Sequence, residues 1–397
     1  LLQGLLLLTA SAALYAQTNL RTAYFLDAYS YRYRFNPAFA PQRNFVSPLI
    51  GNTNIRVETN LSLGNLLWKD DEGRLNIFTA SGESGYLTKN LRENNDADID
   101  LDYNIFSGGF GGKGCQFFHS ADISLHSASS MSIPTSLLQM MRKESKTDSY
   151  SLGNTRLSNK EYLEFAYGIS AAVGECWRIG GRAKLLIGLS NSSMYVNNLE
   201  AKNIAPGVWA LSGEGRVDMN FPNDTYVPTK GEVDEFCIPT RANRLKFTET
   251  RLNDSGVVKN MLSPVPGIGA SFDLGASFSI YGLEAAISLQ DCGFMRWNNH
   301  KVALMPDLWE YDQMSSVVNP SDEFAIQWKS SIDMLDDLYP FEMDDAAAPS
   351  STDFTTMTVN ASVRYSLPFY DRLSFGIVGL ATLEQKPTMS GKFEGVY

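Results

Sequence analysis

Cysteine is scarce in this chain of 397 residues, with Cys115, Cys176, Cys237 and Cys292 its whole complement. They stand too far apart for a zinc motif or a dense disulfide framework, which leaves small unpaired apolar residues or one or two disulfides. Histidine is scarcer still, at His119, His126 and His300. Basic charge is in deficit: 33 Lys and Arg against 44 Asp and Glu give a net charge of −11. That balance excludes a protein gripping nucleic acid through its phosphates. Also missing is any uninterrupted apolar run of about 18 residues, so no helix is expected to span a bilayer. A membrane location would have to come from strands.

What is present begins with Leu1 to Ala16, LLQGLLLLTASAALYA, the apolar core and cleavage region of a secretory signal peptide, with cleavage expected before Gln17. The start Met and basic leader are missing, so this signal reads as truncated at its start. No cysteine follows the cleavage point, so a lipoprotein is not expected. Residues 17–54 then read as a plug-like N-terminal segment and 55–397 as a strand-rich body. Within the segment, Tyr31 to Ile50 (YRYRFNPAFAPQRNFVSPLI) has the wrong chemistry for a helix or strand, because Pro37, Pro41 and Pro48 each remove a backbone donor. Its tyrosines, phenylalanines and arginines give it more anchoring surface than a linker carries.

From Ile55 onward the dominant period is two, which sorts residue classes onto opposite faces of a sheet. From Ile268 to Ile280 every even position is apolar and every odd one is Gly, Ser or Asp. Leu283 to Gln290 resumes the pattern after Tyr281-Gly282, and Met357 to Leu367 repeats it with a partner from about Leu373 to Thr382. Asp98 to Phe106, Cys115 to His126, Leu163 to Val173, Trp177 to Ser190 and Val208 to Asn220 behave alike. With Ile55 to Leu63 and weaker segments at Arg74 to Ala80, Leu245 to Leu252 and Thr388 to Tyr397, the chain holds about thirteen strands. Ser321 to Leu338 reads as a helix with Ser321 as its N-cap.

Either a soluble β-sandwich or a transmembrane barrel could use this pattern. Strands of about ten to thirteen residues suit a tilted bilayer crossing, whereas sandwich strands run to about five or six. Short turns near Gly109–Gly114, Gly174–Cys176, Tyr281–Gly282 and Pro368–Asp371 alternate with long connections at about 127–160, 191–207, 253–267 and 293–356, as in outer-membrane barrels. Phe110, Phe117, Trp177, Tyr281, Phe369 and Tyr370 gather at the short turns as an aromatic girdle. The expected fold is all-β: an antiparallel transmembrane outer-membrane β-barrel with its N-terminal segment in the lumen.

The polar face supplies the candidate lumen residues Asp98, Asp100, Asp102, Asp122, Glu164, Arg182, Lys184, Asp273, Glu284 and Arg364. In the segment, Arg32, Arg34 and Arg43 are expected to pair with lumen carboxylates and Asn36 to hydrogen-bond through its side chain, at a turn made with Pro37 and Ala38. Gating and mere filling need the same contacts, so both stay open. No catalytic set stands out. His119 and His126 face opposite sides of one strand, and a serine paired with His126 is a weak reading beside that of a polar lumen histidine. Asp98, Asp100 and Asp102 lack the glycine and distal glutamate of a calcium loop. Gly108 to Gly112 precedes a strand and lacks the Lys-Ser/Thr pair of a phosphate loop. Neither cofactor nor metal is expected, and the chain does not read as an enzyme.

RFNPAFAP (Arg34 to Pro41), FDLGASF (Phe272 to Phe278) and AAISLQDCGFMRW (Ala285 to Trp297) together resemble an uncharacterised Bacteroidota family of outer-membrane barrels with an N-terminal Asn-Pro-Ala signature. More remotely the chain is similar to the long-chain fatty-acid transporter superfamily and to type IX secretion barrels. The resemblance implies about fourteen strands in the complete protein, the last of them cut short at the C-terminus. It also implies export to the outer membrane of a Gram-negative bacterium. The expected function is a passive channel or transporter for a small hydrophobic or amphipathic molecule, with outer-membrane lipid as its surroundings. The alternatives are a non-transport anchor or scaffold for a secreted or surface partner, and a soluble β-sandwich adhesin.

Overall fold

The computed structural model describes residues 24–49, 51–61, 67–69, 72–77, 91–111, 115–141, 148–222, 225–226, 244–245, 251–252, 265–312, 322–344, 347–367, 374–387 and 393–396. Nearly all of its regular structure is one antiparallel sheet of eighteen strands. In chain order these include β1 (Phe45–Pro48), β2 (Thr53–Thr59), β3 (Asn94–Phe110), β4 (Phe117–Pro134), β5 (Ser149–Ser151), β6 (Thr155–Val173), β7 (Trp177–Ala205) and β8 (Val208–Asn220). There follow β9 (Gly267–Ile280), β10 (Leu283–Asn298), β11 (His300–Leu304), β12 (Leu308–Asp312), β13 (Phe341–Asp344), β14 (Ser350–Phe354), β15 (Met357–Ser366) and β16 (Ser374–Pro387). Arg244–Leu245 adds to β13 and Phe393–Val396 to β16. Helix α1 (Thr135–Met141) and helix α2 (Phe324–Leu338) lie off the sheet.

One tier of the sheet contains the short turns. There β1 and β2 both pair with β3, and the ladder continues through β4, β6, β7, β9, β10, β15 and β16. The alternation read from Ile268 to Ile280 is all of β9 but its first residue, Gly267. Its hairpin with β10 turns at Tyr281 and Gly282, both at positive φ (46° and 84°), the geometry a two-residue hairpin requires. Among the described residues no pairing joins β16 back to β1 or β2, so the sheet has two free edges.

The second tier continues the same strands. Strand β7 is 29 residues long: its first part pairs with β9 as far as Gly188 opposite Gly267, and beyond Asn191 its partner is β8. Strands β11 and β12 pair with β8, β13 pairs with β11, and β14 extends the edge of β10. Here the chain builds an ordinary apolar core. Leu137 and Met140 of α1, Val196, Leu199 and Ala201 of β7, Trp209, Leu211 and Val217 of β8, Trp309 of β12, and Met334 and Leu338 of α2 all lie buried together. Trp309 Nε1 donates to Leu338 O at 3.2 Å and so covers the open end of α2.

Several sequence expectations change. Within the long connections expected at 127–160 and 191–207 the described residues are largely strand and helix: β4 continues to Pro134, α1 follows, β6 starts at Thr155, and β7 runs on to Ala205. The connection expected at 293–356 contains β11 to β14 and α2. Strands expected to number about thirteen become eighteen in the main sheet because the outer tier is cut into short pieces by local breaks. The segment assigned to 17–54 gives up its last part to the sheet, since Phe45–Pro48 pairs with β3 and Thr53 opens β2. The helix starts at Phe324 behind Glu323, which makes no side-chain cap. Ser321 lies outside the described residues, and Ile326 is exposed. Leu1 to Ala16, Pro368–Asp371 and Cys237 also lie outside them, while Cys115, Cys176 and Cys292 are free thiols.

Candidate functional site: the charged interior and its N-terminal segment

The N-terminal segment crosses the concave face of the first tier. Arg32–Arg34 form one 3-10 turn, which throws Arg32, Tyr33 and Arg34 in different directions. After it, Asn36 closes a local turn by accepting the Ala38 N–H at 2.9 Å on its side-chain oxygen, a conformation the following proline favours. The amide Nδ2 of Asn36 then donates to Ile287 O at 3.0 Å on β10 and to Ala276 O at 3.4 Å on β9. Ser288 Oγ donates to Phe35 O at 2.9 Å. Two glycines make the approach possible. A β-carbon on Gly180 would stand 2.8 Å from Ala38 N, and one on Gly275 would stand 3.0 Å from Pro37 Cδ. The Asn-Pro-Ala turn and the glycine of Asp273-Leu274-Gly275 are thus two halves of one contact.

Around that turn lies a network of buried charge. Arg182 Nη1 meets Asp273 Oδ2 at 3.1 Å, and its Nη2 meets Asp122 Oδ2 at 2.9 Å and Glu164 Oε1 at 3.7 Å. Lys184 Nζ reaches Asp273 at 2.9 Å, Asp291 at 2.5 Å and Glu164 at 3.7 Å. Arg182 and Asp273 are direct cross-strand partners in the β7–β9 register, so their pairing follows from strand alignment. The segment enters the same network. Tyr33 OH donates to Asp122 Oδ1 at 2.6 Å, and Arg34 Nη2 donates to Asp102 at 3.2 Å and Ser124 Oγ at 3.3 Å. His126, stacked on Tyr162, lies between Asp102 (3.7 Å) and Glu164 (3.5 Å). Buried ions are tolerable only when paired and hydrogen-bonded in this way.

A second, smaller group fastens the start of the segment. Arg32 pairs with Asp27 at 2.5 Å and Glu284 at 3.1 Å, and Arg364 pairs with the same two carboxylates at 3.1 and 2.5 Å. Arg32 also donates to Tyr24 O at 2.9 Å and lies 4.3 Å over the Phe39 ring.

Of the expected site residues, Arg32, Arg34, Asn36, Pro37, Ala38, Asp102, Asp122, Glu164, Arg182, Lys184, Asp273, Glu284 and Arg364 come together in these groups. Asp100 is drawn off to Arg56 of the neighbouring strand, and Asp98 lies beyond it. The expectation for Arg43 is corrected: it is exposed, and no carboxylate pairs with it among the described residues, because the chain has already left the interior to enter β1. Asp27, Tyr33, Ser288 and Asp291 are partners the sequence reading did not single out as site residues. Asp291 carried a signal, since it opens the Asp-Cys-Gly-Phe stretch. His119 faces outward against Tyr167. Among the described residues no group of side chains is arranged to hold a metal ion.

On this tier apolar side chains face out and charged ones face in. Trp177, Ile179, Leu185, Ile268, Phe272, Leu274, Ile287, Phe294, Val363, Phe375 and Ile377 are all exposed, Ile377 by 80%, while Asp122, Arg182 and Asp273 are buried inside. On β7 the outward apolar stretch runs from Trp177 to Ile187, about the ten residues a tilted strand needs to cross a hydrocarbon core. Further along the same strand the polarity inverts, with Met194, Val196 and Leu199 buried and Glu200 and Lys202 exposed.

In that outer tier, Arg216 holds Asp218 through two bonds of 2.7 and 2.8 Å. His300 meets Asp218 through Nε2 at 2.8 Å and Ala348 O through Nδ1 at 3.0 Å. The bond to Asp218 raises the His300 pKa above its ordinary value against the effect of burial. Burial pushes the Asp218 carboxyl up, but the bonds from His300 and Arg216 outweigh it and hold it low.

A family model described as a family of unknown function, DUF5723, matches residues 37–394. The chain belongs to that family. The matched span starts at Pro37, inside the Asn-Pro-Ala turn, and takes in both glycines on which the turn sits. No curated protein and no solved structure matches the chain.

Proposed function

We infer that this protein is an outer-membrane β-barrel of a Gram-negative bacterium, closed by its own N-terminal segment. It works as a membrane-held scaffold for its outer tier and for a secreted or surface partner. Lipid covers the outward apolar band, water covers the outer tier, and the buried charges face a lumen. No reaction chemistry belongs to the reading. The observation that carries it is the seating of the segment: Asn36 and Ala38 have no exposed surface, and they rest on bare backbone at Gly180 and Gly275. An open pore has no use for a turn packed that closely.

The second reading is passage of a small hydrophobic or amphipathic molecule, with the segment moving aside. It is favoured by the partial exposure of inward-facing Asp102 and Asp291 (30% and 42%), which lets solvent reach the network. Single-channel conductance in liposomes separates the two. A silent intact protein that becomes conducting when Asn36→Ala loosens the turn supports the closed barrel; steady conductance of the intact protein refutes it. Extraction of the folded protein in plain buffer would defeat both readings and favour the sandwich.

A further inference from the structure

Among the described residues β16 is not paired with the β1–β2 edge, yet one short segment holds both. On the β16 side, the Phe25 ring lies over Gly376, and Phe25 and Val378 pack on the same small cluster of Tyr24, Phe39 and Ala286. Arg364 of β15 donates to Phe25 O at 2.8 Å and pairs with Asp27. On the other side, Tyr29 OH donates to Asn52 Oδ1 at 2.7 Å, between β1 and β2. The Tyr31 ring meets Phe45 of β1 edge-on at 5.4 Å. The chain from Phe25 to Tyr29 can reach about 14 Å at full extension. Even with a side chain at each end, the two edges stand only a few strand spacings of about 4.8 Å apart.

We propose that residues 24–44 are a strap across the seam between β16 and the β1–β2 edge, fastened at both ends and holding the wall shut from inside. The inference builds on the barrel reading and adds a second role to the segment. The Asn36 turn fills the interior, whereas the span from Phe25 to Tyr29 resists the parting of the edges. The ring of Asp27, Arg32, Glu284 and Arg364 is the buckle, because it ties the strap to β10 and β15 at once. An apolar sheet edge with unpaired backbone groups is unstable against lipid, so parting is the deformation the wall most needs to resist.

The test cuts the strap after folding. In a background with all four cysteines changed to serine, Ile55→Cys and Ile377→Cys place spin labels on the exposed outer faces of the two edges. A protease recognition sequence follows Ala28, which is exposed. The expected result is a narrow distance distribution before cleavage, a broader and longer one after it, and loss of the folded, fast-migrating band at a lower temperature. A distribution and band unchanged by complete cleavage overturn the strap. Gly180→Ala, which lifts the turn and leaves the buckle intact, is expected to change conductance without widening the seam; widening there and not on cleavage also overturns it. Conductance of the uncut protein reports the closed-lumen reading separately.

Discussion

The seating of the Asn36 turn on two glycines can be tested by filling them. In Gly180→Ala the new β-carbon stands 2.8 Å from Ala38 N, and in Gly275→Ala it stands 3.0 Å from both Asn36 Cγ and Pro37 Cδ. At Gly180 the nearest obstacle is the Pro37 backbone, and at Gly275 it is the Asn36 side-chain oxygen, which the Ala38 N–H holds in place, so in both the turn must lift. Overpacking of this kind costs about 1–3 kcal/mol. Lifting the turn also strains the two bonds from Asn36 Nδ2 to Ile287 and Ala276, about 1 kcal/mol each. Each single variant should therefore lose about 2–4 kcal/mol. Both push the same turn in the same direction, so once one has displaced it the other has little left to disturb. The double variant should fall short of the sum by about 1–2 kcal/mol. Unfolding of the detergent-solubilised protein, read as conversion of the compact band on unheated gels, measures all three. Additive losses, or single losses below about 0.5 kcal/mol, would refute the shared-turn argument.

Leu274→Arg places a charge on the outward face of β9 and should cost about 2–4 kcal/mol in lipid while leaving a soluble sandwich unharmed; folding yield into vesicles decides. Asp273→Asn leaves Arg182 and Lys184 short of a shared partner and should cost about 3–5 kcal/mol, against under about 0.5 kcal/mol for Arg43→Ala on the exposed stretch, both read by urea titration. His300 gives the outer tier a pH dependence. Its pKa is raised in the folded state, so its contribution is complete below the ordinary value of about 6.5 and is lost as pH rises through the folded value. Protection of the amides from Ala348 to Phe354 against hydrogen exchange, corrected for the intrinsic base-catalysed rate, should be greater at pH 6 than at pH 8, and His300→Gln should erase that difference. Asp218, held low, works oppositely: its contribution is present above the ordinary carboxylate range and disappears as pH falls through its depressed value.

Strand identity was legible wherever one face stays apolar and the other polar. Val208 to Asn220 was read to the residue, and β9 to within one. The reading stopped at His126 on β4, at Leu163 on β6 and at Ser190 on β7, although all three strands continue beyond those points. The breaks have one cause. Near Ser190 to Ser193 the apolar face passes from outside to inside, and for a few residues neither face is apolar, so the period-two signal vanishes while the backbone ladder runs on. The interior charges were legible as polar positions on inward faces. Their partners were not, because Asp273 opposite Arg182 is a matter of register between strands distant in sequence. The buckle needed Asp27, which alternation could not flag because it precedes any strand.

The continuity of β7 also has a mechanical meaning. It stays paired with β6 from Trp177 to Val196 and with β8 from Asn191 to Ala205, so no hinge separates the part with the outward apolar face from the part with the inward apolar core. Beyond Asn191 it adds on the order of 50 Å of contour at about 3.3 Å per residue. Whatever docks on the far tip is held like a fitting on a mast, at fixed height and fixed azimuth, and a sideways load there is delivered as torque to the charged interior at its foot.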